Sequence, residues 1–308
     1  MKKIFKNSNN ELRSGWKIAG VIGVLQVLYF IWLGVVPVII GTFMAAHKYG
    51  KIFSIDGVGI QVDYFLNKDL YGLLIHNAIG FICVLIAVFM FLKEEKKSFK
   101  SIGLTSIKKG YKDLVIGLLF GIASISFVFF MLLGTKNITV TNPSKPYFSS
   151  YAVIGLIIYV FVGIGEELLS RGYCITALNQ MKKPWLSVVI SACIFSSLHF
   201  FNPNVKPLGL INIILVGVLF GYMYVKSGNL WMPIGYHITW NYFQGSVYGL
   251  NVSGFDVEGI FHSYVLKNNI LTGGAFGPEA GILTTIVIII GFLIVWKLPL
   301  SFNKKGNL

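Results

Sequence analysis

The chain has 308 residues, of which 55% are hydrophobic and 12% charged, and its mean hydropathy is +0.72. Soluble domains carry about a quarter charged residues, so this composition excludes an ordinary soluble protein and predicts a membrane protein with several spans. The net charge of +14 would suggest a nucleic-acid partner for a soluble protein. Basic residues of a membrane protein concentrate in its cytoplasmic loops, so the charge here needs no nucleic acid.

Apolar runs of about 17 to 25 residues are long enough to cross a bilayer. They predict an all-α fold, a polytopic helix bundle that forms a single membrane domain over residues 1–308. Eight transmembrane helices are expected, at 18–44, 70–92, 113–134, 149–168, 185–201, 209–225, 230–249 and 280–297.

The predicted spans also set the orientation of the chain. Most of the 26 basic residues fall in segments on one side, which predicts that both termini are cytoplasmic. The abundance of Lys, Asn and Ile favours a bacterial plasma membrane. The long outer loop 250–279 is rich in glycine and is expected to fold back partly over the bundle.

The segment GIGEELLSRGY places two adjacent carboxylates and an arginine at the end of the fourth predicted span. Charge at this depth is costly, so such residues usually pair with one another or mark a functional site. Glu167 and Arg171 are four residues apart and share a helix face, which predicts an ion pair. Glu166 points about 100° away and is a candidate for chemistry. The alternative is that these charges only mark the helix end.

Two further polar segments lie in the fifth and seventh predicted spans. In FSSLHF, His199 lies one helical turn after Phe195 and is either a hydrogen-bonded packing residue or a catalyst. In YHITWNYFQG, His237 and Asn241 face the same way. Their N–H groups could donate to a developing oxyanion. The alternative is a polar clasp between helices, worth about 0.6 kcal/mol per contact.

Residue counts at a rise of about 1.5 Å per residue place these polar groups at similar depths. A carboxylate, two imidazoles and a carboxamide from three helices are therefore expected to line one cavity that opens toward the cytoplasm. Such a set of side chains is suited to activating water for hydrolysis.

The motifs EELLSR, FSSLH and HITWN resemble, in order and rough spacing, the EExxxR, FxxxH and HxxxN motifs of one family. This is the CAAX protease and bacteriocin-processing (CPBP, or Abi) family of intramembrane proteases, which includes the type II CAAX prenyl endopeptidases. The resemblance covers a catalytic core over about residues 150–250. In the flanks, VSG (252–254) and GGAFGPE (273–279) are similar to segments of bacterial members.

The resemblance implies hydrolysis of a peptide bond in a membrane-embedded or lipidated peptide or protein within the lipid bilayer. Glu166, helped by His199, would activate the water. His237 and Asn241 would bind the oxyanion.

Glu167 and Arg171 would then be the supporting ion pair. No cofactor is expected, although members of the family are often described as metalloproteases. If a zinc ion is present, Glu166, His199 and His237 would be its ligands. The chain has no HExxH motif, and the candidate ligands lie on separate helices, which favours a metal-free mechanism.

Two other classes of function stay open from the sequence. One is a non-enzymatic membrane protein, such as a bacteriocin-immunity or scaffold protein with an unused site. The other is a proton-coupled transporter, which would also need intramembrane glutamate and histidine. Transporter folds usually contain inverted repeats, and no second half resembles predicted spans four to seven.

Overall fold

The structure is a computed structural model that describes residues 2–36, 69–141 and 146–298. The part of the first predicted span after residue 36 lies outside the described residues. The chain divides into two compact units, Met1–Lys97 and Ser98–Leu308. All the candidate site residues lie in the second unit.

The described residues of the first unit include helices α1 (Lys2–Phe5), α2 (Ser14–Phe30) with a π-helical continuation (Ile31–Val35), and α3 (Leu70–Glu94). Asp69 caps the start of α3, because its side chain accepts hydrogen bonds from the N–H groups of Tyr71 and Gly72. These N–H groups have no acceptor within the helix. An ion pair of 2.9 Å between Lys17 Nζ and Glu95 Oε2 joins α2 to the end of α3.

In the second unit, the described ranges 98–141 and 146–298 contain six longer helices and one pair of short strands. They are α4 (Ile107–Gly134), β1 (Ile138–Thr141), α5 (Ser150–Glu167), α6 (Pro184–Leu198), α7 (Pro207–Ser227), α8 (Trp231–Tyr242), β2 (His262–Val265) and α9 (Ile282–Lys297). Two of the helices continue as π-helical turns, α5 into Leu168–Ile175 and α8 into Phe243–Val247. Proline stands at the first position of α6 and α7, where its missing N–H has no helical acceptor to lose.

Helix α8 packs closely against α4. A Cβ atom at Gly235 would lie 2.6 Å from the backbone oxygen of Leu114, and one at Gly117 would clash with the backbone of Met232. Small residues at such positions let two membrane helices approach each other, which increases their van der Waals contact. Thr239 Oγ1 donates a hydrogen bond of 2.9 Å to the Leu118 carbonyl across the same interface. The interface therefore fixes α8, which carries two of the candidate site residues.

Within the described residues, five helical segments are long and apolar enough to cross a membrane. They are Ser14–Val35, Leu70–Glu94, Phe99–Gly134, Ser150–Met181 and Pro207–Ser227, and two apolar helices, α6 and α9, are shorter. The chain is therefore a multi-pass helical membrane protein, as predicted. The number of eight spans and the placement of the termini stay predictions.

A pair of short strands departs from the predicted all-helical fold. Strands β1 and β2 are antiparallel, with Ile138 opposite Val265 and Thr141 opposite His262. The sequence of β1, ITVT, consists of β-branched residues, which favour strands, but four residues are too few to stand out beside long apolar runs.

Candidate active site

The acidic pair lies where α5 changes its helical geometry. Glu166 and Glu167 are its last residues, and the π-helical turn that follows contains Arg171. Single π-helical turns are rare and often occur at functional sites. Ser191 Oγ on α6 donates a hydrogen bond of 2.6 Å to the Ser170 carbonyl in this turn. The bond ties the irregular backbone to its neighbour.

Glu167 and Arg171 form the predicted ion pair. Arg171 Nη1 lies 3.0 Å from Glu167 Oε1, and both side chains are 0% exposed. The Arg171 guanidinium also stacks over the ring of Phe195, 4.1 Å from its centroid. This contact gives the phenylalanine of the FSSLH segment a physical role, because a buried cation is stabilised by an aromatic face.

Glu167 also binds His237, a contact between helices that the sequence did not predict. Its Oε1 lies 2.9 Å from His237 Nδ1. The same oxygen accepts a hydrogen bond from Arg171, so it is also the acceptor here, and His237 Nδ1 donates its N–H to it. One carboxylate oxygen therefore fixes both the arginine and the orientation of the imidazole.

His199 is oriented by its own backbone segment. It follows the last residue of α6, and its Nδ1 lies 2.9 Å from the Phe195 carbonyl. A carbonyl only accepts hydrogen bonds, so Nδ1 is the donor. The Phe195 ring packs edge-on against the imidazole, with centroids 4.8 Å apart. These contacts leave Nε2 of His199 free to face the interior.

Glu166 faces the free nitrogens of both histidines. Its Oε2 lies 3.7 Å from His237 Nε2 and 4.0 Å from His199 Nε2. These distances exceed direct hydrogen-bond length but are within the reach of a bridging water. The Glu166 side chain is 37% exposed, whereas Glu167 is fully buried. The two adjacent glutamates thus occupy different environments, as their positions on the helix predicted.

A small pocket of about 60 Å³ adjoins the two histidines. His199, His237 and Asn241 line it together with mainly apolar side chains, among them Phe220 and Ile288. Asn241 is buried one turn beyond His237 on α8. Apolar walls with a few convergent polar groups are typical of a small-molecule or peptide site.

Comparison with known proteins identifies the region that carries this arrangement. Residues 148–243 match the family described as type II CAAX prenyl endopeptidase Rce1-like. This part of the chain, about a third of its length, is similar to the type II CAAX prenyl endopeptidases of the CPBP family. Comparisons with curated proteins and with solved structures returned no match. The matched region contains the acidic pair, His199, His237 and Asn241.

The pocket lies near the first turns of two helices. It is lined by Asn212, in the second turn of α7, and by Thr284, in the first turn of α9. Basic residues stand at the opposite ends of these helices, Lys226 and Lys297. Lys206, however, caps the pocket end of α7, so the expected opening of the cavity toward the cytoplasm stays a prediction.

The loop between α8 and α9 supplies pocket residues that the sequence analysis did not single out. As expected, this loop folds back over the bundle, and its residues Ser253 and Glu279 line the pocket. Both belong to the VSG and GGAFGPE segments. A glutamate in a glycine-rich loop looks like an ordinary solvated charge, so only the resemblance of these segments could have indicated it.

The candidate zinc ligands do not form a metal site as they stand. Ligand atoms of a tetrahedral zinc, each about 2.0 to 2.2 Å from the ion, lie roughly 3.4 Å from one another. Glu166 Oε2 is farther than this from both imidazole nitrogens. Among the described residues, no group of three or more His, Cys, Asp or Glu side chains is arranged to hold a metal ion. The donor types suit zinc, but their spacing does not.

Proposed function

We propose that this protein is an intramembrane endopeptidase that hydrolyses a peptide bond of a membrane-embedded or lipidated peptide in a bacterial plasma membrane. The observation that carries the proposal is the convergence of Glu166 Oε2 on two imidazole nitrogens, each held by a hydrogen bond at the other nitrogen of its ring. The family match supports the same reaction class.

In the proposed reaction, Glu166 and His199 Nε2 hold a water molecule between them. Glu166 takes one proton from the water, and the resulting hydroxide adds to the carbonyl carbon of the scissile bond. The tetrahedral intermediate then collapses with cleavage of the C–N bond. The proton held by Glu166 passes to the leaving amine, so the site returns to its starting state.

His237 and Asn241 are the proposed donors to the oxyanion. Both line the pocket one helical turn apart, on a helix that close packing against α4 holds in place. Asn241 donates through its amide, and His237 donates through Nε2 when its ring is doubly protonated. The Glu167 carboxylate at Nδ1 stabilises that charged form. Preorganised donors of this kind supply much of the rate enhancement in acyl transfer.

Comparative peptidomics tests the proposal. Membranes of cells that express the wild-type chain should contain cleaved peptides that are missing when Glu166→Gln is expressed at the same level. Glu258→Gln is a matched control, because it is the same change at an exposed loop position. Identical peptide profiles for wild type and Glu166→Gln, combined with an unchanged cellular phenotype, would instead support a non-enzymatic scaffold or immunity protein.

A further inference from the structure

Glu279 is a buried carboxylate in the pocket that the proposed reaction does not use. Its residue is 9% exposed, and it lines the same pocket as His199, His237 and Asn241. Its oxygens accept hydrogen bonds from Ser253, one of 2.7 Å from the backbone N–H and one of 3.0 Å from the hydroxyl.

The loop backbone holds this carboxylate in a fixed place. Asn212 Nδ2 donates to the carbonyls of Glu279 and Gly281, at 2.8 and 3.0 Å. Gly277 has a φ of 106° and lies against the Asn251 carbonyl, so a side chain there would meet both strain and a clash. The glycine-rich segment thus allows the chain to turn tightly and deliver Glu279 into the pocket.

In the described part of the chain Glu279 has no lysine or arginine partner, although the chain has 26 such residues in all. The nearby His237, which is not within ion-pair distance, favours its charged form only partly. Burial raises the pKa of Glu279 to about 7, while the hydrogen bonds from Ser253 and Gln244 partly oppose this. A carboxylate that is buried without a cation is costly.

A purely structural role does not require this charge. A glutamine at the same position could accept a hydrogen bond from Ser253 and hold the loop without the cost of desolvating a carboxylate. A cation brought in by the substrate would offset that cost. Other buried polar groups near the loop, such as Asn212 and Thr284, use their hydrogen bonds to hold the backbone.

We propose that Glu279 is a specificity-determining residue that binds a positively charged group of the peptide substrate, the side chain of a lysine or arginine near the cleaved bond. This inference rests on the proposed peptidase function. The mainly apolar pocket would take the neighbouring apolar part of the peptide, and the carboxylate would select a basic residue within it. A charged pair formed in such surroundings is stronger than one in water.

Binding of defined peptides tests this subsite apart from cleavage. The full-length chain carrying Glu166→Gln is placed in lipid nanodiscs, so that peptides bind without being cut. The probes are fluorescent leucine-rich peptides with a single lysine at successive positions, each matched by a peptide with norleucine there. At one position, lysine should bind about 30-fold more tightly than norleucine, as for a buried charge pair.

Adding Glu279→Gln should reduce this preference to less than about threefold, while adding Glu258→Gln should leave it unchanged. Glu279→Asp, which keeps the charge, should retain part of the preference. Thermal unfolding of each variant shows whether the loop change has damaged the fold. A folded parent without lysine preference at any position would overturn the subsite, and so would a preference that survives in a folded Glu279→Gln variant.

The same peptides, incubated with the chain that keeps Glu166, separate the two proposals. Cleavage without a preference for lysine would overturn the subsite and leave the peptidase. A preference for lysine in binding, with no cleavage of any peptide, would overturn the peptidase and leave a pocket that binds cationic peptides.

Discussion

Replacing Glu167 by glutamine should destabilise the protein and lower its activity, by two separable effects. Glu167 Oε1 lies 3.0 Å from Arg171 Nη1 and 2.9 Å from His237 Nδ1, and its side chain is 0% exposed. The glutamine keeps the size of the side chain but removes the charge. Arg171, which is also 0% exposed, then has no carboxylate to neutralise it.

The magnitude follows from the burial of the pair. An average polar contact between membrane helices contributes only about 0.6 kcal/mol. Removing one partner of a buried ion pair costs about 3 to 5 kcal/mol, because the other charge stays buried. Complete burial of both side chains makes the larger value the expected one. Activity should fall by about 100-fold, since the charged form of His237 loses its counter-ion.

A second variant separates these effects. In Glu167→Gln/Arg171→Met both charges are gone, so at least half of the lost stability should return, while activity should stay low. Stability is measured by denaturant unfolding in detergent, followed by tryptophan fluorescence, with Glu258→Gln as the control. A loss below about 1 kcal/mol for the single variant would contradict the buried-pair argument. Recovery of full activity in the double variant would contradict the role given to Glu167.

Three further predictions concern the pocket. Asn241→Ala should lower kcat by about 100-fold or more with little change in substrate binding, as expected for an oxyanion donor. An unchanged kcat would show that Asn241 does not bind the oxyanion. Glu279 has a pKa raised by burial from its ordinary 4.5 to about 7, so its contribution to stability is full below pH 4.5 and is lost as the pH rises through 7. Between pH 4.5 and 8 the free energy of unfolding of the wild type should fall by about 3 kcal/mol more than that of Glu279→Gln. Equal pH dependence of unfolding in the two proteins would refute this prediction. Finally, 1,10-phenanthroline and added zinc should leave the proteolytic rate unchanged, whereas inactivation by the chelator with restoration by zinc would show a metal-dependent site.

The parts of the site that follow helical periodicity could be predicted from the sequence. The ion pair of Glu167 with Arg171 was expected from their spacing of four residues and is confirmed. The divergent direction of Glu166 was expected from the same helix geometry. The catalytic roles of these residues stay predictions.

The contacts between distant segments could not be predicted in this way. The bond from Glu167 to His237 joins residues 70 positions apart, and it depends on how α5 and α8 pack. Glu279 reaches the pocket through a loop whose path is set by glycine conformations and by hydrogen bonds to Asn212. Hydrophobic patterns locate helices, but they do not specify where a polar loop of this length will fold.

The cleavage rate of the purified Glu166→Gln variant is the most direct test of the account. Wild type and variant are reconstituted in liposomes with a peptide that the wild type cuts, and single-turnover rates are compared. The rate should fall by about 1,000-fold, the range for loss of a general base, with unchanged thermal unfolding. A folded variant that cleaves within about threefold of the wild-type rate would show that Glu166 does not activate the water.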